Sequence, residues 1–320
     1  MKTAIVMGAG FGGMASALRI RAKGYKVTLI DKSDSLGGRA QVFKRDGFIY
    51  DAGPTVITAP FLIKELFDLF GKDIRDYVKI FPVDPWYRFY FQDGTYFNYG
   101  GTIEDTLNEI SKISPEDCTG YKKLLKSSES IFKIGFEELA HKPFNTLWSM
   151  IVQIPSLLKL KAYQSVYSFV SSHLKHDKLR QAFSIQPLLV GGNPFDTTSI
   201  YNLIHFLERK WGIHYAVGGM TSVVAALERL MVESGIDIIK GNEIKKIETQ
   251  NKTIKTVITD SGEKYCGDIF ISNMDPVFLY KNLLNNELSL TSKIKANKSE
   301  LSMGLFVLYF GTKRKFEDVA

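Results

Sequence analysis

The fold is decided near the start of the chain, where residues 3–31 read TAIVMGAGFGGMASALRIRAKGYKVTLID. Ala4–Met7 is a short uninterrupted apolar run, which is typical of a buried parallel strand. A glycine-rich turn follows it, and the alanines and leucine of Met14–Lys23 then favour a helix. Lys26–Ile30 is a second apolar run. This order predicts the strand–turn–helix–strand unit of a dinucleotide-binding domain.

The turn has the spacing GxGxxG, and three of its glycines have separate physical tasks. Gly8 permits a tight turn, Gly10 lets the backbone approach a pyrophosphate, and Gly13 lets the helix pack closely on the strand. The helix N-terminus offers free N–H groups to phosphate oxygens. Asp31, 23 residues after Gly8, can accept hydrogen bonds from both ribose hydroxyls, and its charge would repel a 2′-phosphate. The cofactor-binding residues predicted in this unit are Gly8, Gly10, Phe11, Gly12, Gly13, Asp31 and Lys32.

Composition places the chain among ordinary globular proteins. Its 320 residues, 45% hydrophobic and 23% charged, fit about two domains and exclude a disordered or collagen-like chain. The two cysteines, Cys118 and Cys266, cannot form a disulfide framework, so we expect a reducing, cytoplasmic setting. The net charge of +7 suggests contact with an anionic surface, either nucleic acid or lipid headgroups.

Much of the positive charge falls in one window, from Lys142 to Arg180, which holds six Lys/Arg and one acid. The window contains the uncharged stretch Pro143–Leu158, which is shorter than the roughly 20 apolar residues of a spanning helix and is interrupted by Pro155. An apolar stretch bordered by lysines and carrying Trp148 is typical of a segment lying in a membrane interface. A core helix with a solvated basic flank is the alternative.

The segment after Asp31 indicates which dinucleotide is bound. Leu36–Ala40 reads LGGRA and Gly47–Thr55 reads GFIYDAGPT, whereas a nicotinamide-binding domain normally continues directly into another helix and strand. The guanidinium of Arg39 can bind a phosphate in a fork, although a surface arginine in a turn is the alternative. The arrangement resembles the flavin-binding half of the amine oxidase and carotenoid desaturase superfamily, which implies FAD in an extended form. The further predicted site residues are Gly38, Arg39, Gly53, Pro54 and Thr55.

Motifs along the whole chain, from residue 1 to 320, resemble bacterial phytoene desaturases. They include Asp51–Thr58 (DAGPTVIT), Leu189–Phe195 (LVGGNPF), Ile200–Leu207 (IYNLIHFL), Ser272–Asp275 (SNMD) and Leu305–Gly311 (LFVLYFG). The resemblance implies non-covalent FAD, a linear C40 isoprenoid substrate, peripheral attachment to a membrane and sequential desaturation in carotenoid biosynthesis.

The resemblance also implies an α/β architecture, a Rossmann-like FAD-binding domain of the GR2 type with an inserted α+β substrate domain. The FAD-binding domain would comprise 1–70 and 214–283, and the substrate domain 71–213 and 284–320, with 142–180 as a helical membrane-facing segment. Ile244 would lie against adenine through its backbone, with an ordinary core isoleucine as the alternative. Relatives are about half as long again and carry a glycine- and proline-rich motif that closes over the flavin, so we expect this chain to lack that part.

Local patterns complete the layout. Residues 75–100 alternate aromatic and polar side chains around Asp93–Gly94, which predicts a hairpin, and residues 103–185 favour helices. We predict no metal site, because the five histidines form no HExxH motif, and no nucleic-acid partner. The stretch 147–152 (LWSMIV) is uncharged where relatives often carry an acid and an arginine, so no acid–base pair can be carried over and the catalytic residues are left unassigned.

The expected reaction is hydride transfer from the isoprenoid to flavin N5, because an allylic C–H is not acidic and the flavin supplies the redox chemistry. The allylic cation would then lose a proton from the neighbouring carbon, which forms the double bond. Oxygen or a membrane quinone would then reoxidise the flavin. A C30 carotenoid desaturase and a carotenoid isomerase are the neighbouring alternatives. A flavin- or lipid-binding chain without catalytic activity is the alternative from another class.

Overall fold

The computed structural model describes residues 1–40, 42–138, 152, 155, 158, 160–284, 287–299, 301, 302, 304 and 306–315. The chain forms two compact units. Unit 1 comprises Met1–Phe81, Tyr215–Leu301 and Phe306–Ala320, and unit 2 comprises Pro82–His214 and Ser302–Leu305. Residues 71–81, 284–301 and 306–320, which the sequence assigns to a substrate domain, cluster here with unit 1, and His214, which it assigns to the FAD-binding domain, clusters with unit 2.

The strands of the described residues are β1 (Thr3–Met7), β2 (Lys26–Ile30), β3 (Val42–Arg45), β4 (Phe48–Asp51), β5 (Ile80–Pro82), β6 (Tyr87–Tyr90), β7 (Tyr96–Tyr99), β8 (His214–Ala216), β9 (Asp237–Ile239), β10 (Ile244–Gln250), β11 (Thr253–Thr259), β12 (Lys264–Cys266) and β13 (Ile269–Ser272).

The α-helices of the same residues are α1 (Phe11–Ala22), α2 (Pro60–Asp68), α3 (Ile103–Ile113), α4 (Asp117–Phe132), α5 (Val166–Ser171), α6 (Asp177–Ala182), α7 (Leu203–Trp211), α8 (Met220–Glu233), α9 (Pro276–Phe278) and α10 (Leu290–Asn297). Short 3₁₀ turns cover Ile74–Asp76, Gln186–Val190 and Ser199–Asn202, and π-helical turns cover Lys133–Glu138 and Leu279–Leu283.

Unit 1 is built on a parallel sheet with the strand order β13-β1-β2-β9. Helices α1 and α8 share its core, in which Leu18 and Val223 have no exposed surface. Isoleucines of β1 and β2 pack with β10 and β11 of a second, antiparallel sheet, β10-β11-β12. The predicted α/β fold class is therefore confirmed.

The first helix begins at Phe11, three residues before the position that the sequence suggests. Glycine has a low helix propensity, which made the two glycines after Phe11 read as loop. In the structure Gly12 and Gly13 lie in the first turn of α1, and Gly13 is buried. Close packing of the helix on β1 outweighs the low propensity, and the loop proper shrinks to Gly8–Gly10.

Unit 2 contains the predicted hairpin, formed by β6 and β7 around the Asp93–Gly94 turn. Its core is aromatic, with Tyr99, Tyr121 and Phe183 almost fully buried. The guanidinium of Arg209 lies within this core. Its Nε donates to Tyr121 Oη at 2.9 Å, and its Nη1 donates to a backbone carbonyl of the loop that follows β7. The hydrogen bonds offset the cost of placing a charge among aromatic rings.

Part of the positive charge of the basic window 142–180 is offset by acidic residues from other parts of the fold. Lys142, Trp148 and Lys159 lie outside the described residues. Lys175 pairs with Glu116 at 3.3 Å and Lys178 pairs with Asp93, so acids from other elements neutralise part of the charge. Among the described residues no helix combines the length and the apolar character needed to cross a bilayer.

A buried carboxyl group on α7 links the stability of unit 2 to pH. Glu208 has no exposed surface and accepts a hydrogen bond from Tyr87 Oη at 3.1 Å. Burial raises its pKa from 4.5 to about 8, so the folded chain holds a proton that the unfolded chain releases. Burial lowers the pKa of the neighbouring His205 from 6.5 to about 4. As the pH rises towards 6.5, His205 increases the free energy of unfolding and Glu208 decreases it. Above about pH 6.5, only Glu208 of these two groups still changes the free energy of unfolding.

We therefore expect the free energy of unfolding to fall by about 2 kcal/mol between pH 6.5 and 8. Replacing Glu208 with Gln should remove most of this slope, and the exposed Glu138→Gln serves as the control. The measurement is urea unfolding at several pH values in this window. An unchanged slope in the Glu208 variant would contradict the assignment.

Candidate dinucleotide site

The glycine loop joins β1 to α1 through a very close turn. Gly8 adopts a φ of +92°, a backbone conformation that residues other than glycine rarely adopt. Its N–H donates to Ile30 O at 2.8 Å. A Cβ at Gly13 would overlap the carbonyl oxygen of Gly8. The helix has no side-chain cap at Gly10 and no acid in its first turn. The free N–H groups of this turn are therefore available to an anionic ligand.

The double-glycine turn packs directly on this loop. Gly37 N–H donates to Ala9 O at 2.9 Å, and a Cβ at Gly38, whose φ is +56°, would lie 2.9 Å from Gly10 Cα. The segment that begins at Asp51 approaches from the other side, because a Cβ at Gly53 would overlap the carbonyl oxygen of Arg39. Three backbone segments thus meet with no room for side chains between them.

Asp31 stands at the end of β2 and faces the glycine loop. Its Oδ2 accepts the Ala9 N–H at 2.6 Å, and its Oδ1 accepts the Ser33 N–H at 2.8 Å. An ionised carboxylate offers about four acceptor positions, so each oxygen keeps one for a ribose hydroxyl. The sequence predicted the ribose contact, and the structure adds a second task, which is holding the glycine loop against β2.

Arg39 lies on the wall of the same site with its side chain 91% exposed. Its Nη2 is 3.4 Å from Asp275 Oδ2, an exposed ion pair of small energetic worth. The guanidinium therefore stays available for a phosphate. Asp275 Oδ1 accepts the N–H groups of Val277 and Phe278 at the start of α9 and is fixed by them.

These segments enclose a cavity of about 750 Å³, within the usual size range for small-molecule and cofactor sites. The predicted residues that line it are Gly8, Gly10, Phe11, Asp31, Lys32, Gly38, Arg39, Pro54 and Ile244. Gly12, Gly13, Gly53 and Thr55 do not belong to the lining. Gly13 and Gly53 instead allow the close backbone approaches behind the wall. Ile244 fits both predicted roles, a core residue and a residue of the cofactor site. It is only 5% exposed in the core, and it also borders the cavity.

Part of the cavity wall was not recognised from the sequence as belonging to the site. Asn273, Met274 and Asp275 follow β13, and Asn242 and Glu243 precede β10. The sequence SNMD was recognised only as a motif of resemblance. Its position at the end of the apolar run Ile269–Ile271 was a usable signal, because ligands of parallel sheets bind at the carboxyl ends of the strands.

The donor set fits a dinucleotide. Free N–H groups and Arg39 suit a pyrophosphate, Asp31 suits a ribose, and an apolar wall that includes Ile244 suits an adenine ring. The buried groups with strongly shifted pKa values, Glu208 and His205, do not line this cavity.

Comparison with known proteins agrees with this reading. Residues 11–320 match the model of the flavin containing amine oxidoreductase family. The chain is 40% identical over its whole length to the phytoene desaturase (lycopene-forming) of Pantoea ananas, covering 65% of that protein. It is 36% identical to the phytoene desaturase (neurosporene-forming) of Cereibacter sphaeroides, over 97% of this chain and 60% of that protein. A crystal structure of a Pyrococcus furiosus protein, 18% identical, superimposes with a TM-score of 0.61 and covers 93% of this chain and 66% of that one.

The chain belongs to the flavin containing amine oxidoreductase family. The family supports FAD as the cofactor, in agreement with the sequence prediction, and the structural likeness supports the fold. The chain spans about 65% of the length of the phytoene desaturase to which it is 40% identical.

Replacing Asp31 with Ala should weaken FAD binding about tenfold to a hundredfold, because a charged hydrogen bond to the ribose is worth about 1.5–3 kcal/mol. Asp31→Asn should also weaken binding, since its NH₂ group would face one of the two backbone N–H donors. Asp34→Ala, an exposed neighbour outside the cavity lining, is the control. Flavin fluorescence titration measures the affinity. Unchanged affinity in the Asp31→Ala variant would refute the ribose contact.

Proposed function

We propose that this chain holds FAD in unit 1 and acts in the desaturation of a linear C40 isoprenoid. The observation that carries the proposal is the cavity at the carboxyl ends of β1, β2 and β13, whose lining suits pyrophosphate, ribose and adenine. The similarity to phytoene desaturases along the whole chain supports the substrate class. In this proposal unit 1 is the FAD-binding domain and unit 2 contributes to substrate binding.

The roles of the chain's own residues follow from the geometry of the site. The first-turn N–H groups of α1 and the guanidinium of Arg39 would hold the pyrophosphate, Asp31 the adenosine ribose, and Ile244 the adenine. When bound, FAD supplies the capacity to accept a hydride. The protein's part is then to fix the cofactor, align a hydrocarbon beside it and exclude water. That division of labour requires few polar catalytic residues.

The direct test is product analysis with the purified chain, FAD and phytoene carried in liposomes, under air or with an added quinone. Added conjugated double bonds appear as red-shifted absorption and support desaturation, and the two conditions identify the electron acceptor. Faster turnover of a C30 polyene supports the shorter substrate, and rearrangement without loss of hydrogen supports an isomerase. Flavin binding with no change in any polyene would contradict the proposal and favour the non-catalytic alternative.

A water-insoluble substrate must be collected from a bilayer, so the proposal includes peripheral attachment to a membrane. Unit 2 exposes apolar side chains on two adjoining segments, the apolar patch, formed by Tyr163, Leu188, Leu189, Val190 and Phe195. Tyr163 is 71% exposed, and Phe195 packs on Tyr167 with ring centroids 4.7 Å apart. Residues 165–167 run beside residues 194–198, because Ser165 and Thr198 form an antiparallel bridge and Tyr167 N–H donates to Pro194 O at 2.9 Å. Lys161, two residues before Tyr163, is exposed and has no ion pair among the described residues.

The double variant Tyr163→Asp, Leu188→Asp should bind liposomes at least about tenfold more weakly, because burying each apolar side chain in lipid is worth about 1 kcal/mol or more. Binding should rise with anionic lipid and fall only partly at high salt, since apolar insertion is not screened. Val232→Asp, an exposed apolar position of unit 1, is the control. Co-sedimentation gives the readout. Equal binding by the double variant and the wild type would exclude this patch as the attachment surface.

A further inference from the structure

Asn273 lies directly over the glycine loop, although the two are more than 250 residues apart in the sequence. Its N–H donates to Met7 O at 2.8 Å, which fixes its backbone beside the end of β1. A Cβ at Gly12 would lie 2.5 Å from its Nδ2, and a Cβ at Gly10 would lie 3.0 Å from its Oδ1. The carboxamide therefore occupies the space that side chains at positions 10 and 12 would need.

The carboxamide of Asn273 has no hydrogen-bond partner among the residues that the structure describes, whereas its neighbour Asp275 uses both carboxylate oxygens. It lines the cavity, beside the first turn of α1 and its free N–H groups. A side-chain amide carries two N–H donors. Asn273 thus holds donors next to the place where the helix terminus favours an anion.

We propose that Asn273 is a cofactor-binding residue, whose side-chain N–H donates to the pyrophosphate together with the first-turn N–H groups of α1. The inference rests on the proposed function, because it takes the cavity to be the FAD site. It also gives Gly10 and Gly12 a task beyond admitting the ligand. They keep the space above the loop open for the carboxamide, which then reaches the phosphate.

Gly12 and Gly13 differ in what an added Cβ would meet, and this difference distinguishes phosphate binding by Asn273 from a purely structural role. Alanine at position 12 would meet the far end of the flexible Asn273 side chain, which can rotate away with little loss of stability. Alanine at position 13 would meet the backbone of Gly8, which cannot move without disturbing β1. Gly12→Ala is therefore a means of displacing the carboxamide, and Gly13→Ala is a means of damaging the fold.

The test measures the affinities of ADP, FAD and adenosine by titration calorimetry for the wild type, Asn273→Ala, Gly12→Ala and the double variant. Asn273→Ala should weaken ADP and FAD about tenfold, the effect of one hydrogen bond to a charged group, and leave adenosine unchanged. Gly12→Ala should weaken both by a similar factor, and the double variant should be no weaker than either single variant. Asn273→Asp, which keeps the shape and replaces the donor by a charge, should weaken ADP more than Asn273→Ala does.

Thermal unfolding of each variant separates loss of binding from loss of folding, with Gly13→Ala as the destabilised reference. Wild-type affinity for ADP in Asn273→Ala would overturn the inference, as would additive losses in the double variant, because a methyl group at position 12 would then obstruct the ligand by itself. Binding of ADP without FAD by the wild type would refute the flavin function, and the comparison of variants with ADP would still decide the role of Asn273. A wild type that binds neither would refute both.

Discussion

The site depends on one constraint, which is that three stretches of backbone approach one another with no side chain between them. The glycine loop touches the double-glycine turn through Gly10 and Gly38, and that turn touches the following segment through Gly53. Each contact leaves no room for a Cβ, and two of these glycines line the cavity. The close approach brings N–H groups, Arg39 and Asp31 into one concave surface, where they can act on a single ligand.

Asp31 shows how the same atoms serve the fold and the site. Two backbone N–H groups already bind its carboxylate, so it holds the loop in shape before any ligand arrives. A preorganised loop loses less conformational entropy on binding, which improves affinity without a new contact. For this reason a substitution at Asp31 tests both the ribose contact and the order of the loop.

The sequence was sufficient to predict the fold near its N-terminus, because periodicity, glycine spacing and a terminal acid all lie within residues 3–31. It did not predict a role for Asn273, because that residue reaches the glycine loop only through the pairing of β13 with β1. Strand order in a sheet cannot be deduced from a local sequence pattern. The local charge balance around the basic window could not be predicted for a related reason. A count of charges along the chain does not include Glu116 and Asp93, which other elements bring to Lys175 and Lys178. Tyr163 lies in the window that the sequence assigned to a membrane interface, but the leucines and valine of the apolar patch could not be predicted, because their exposure depends on how the surrounding turns pack.

We infer that the glycine loop and the turn after β13 bind one adenine dinucleotide together. Hydrogen–deuterium exchange of the chain with and without saturating FAD tests it most directly, because it reports on individual backbone segments. We expect FAD to slow exchange at Phe11–Gly13, at Gly37–Arg39 and at Asn273–Asp275, with half-maximal protection of all three segments at the same FAD concentration. Protection confined to other segments, or FAD binding that leaves these three unchanged, would contradict it.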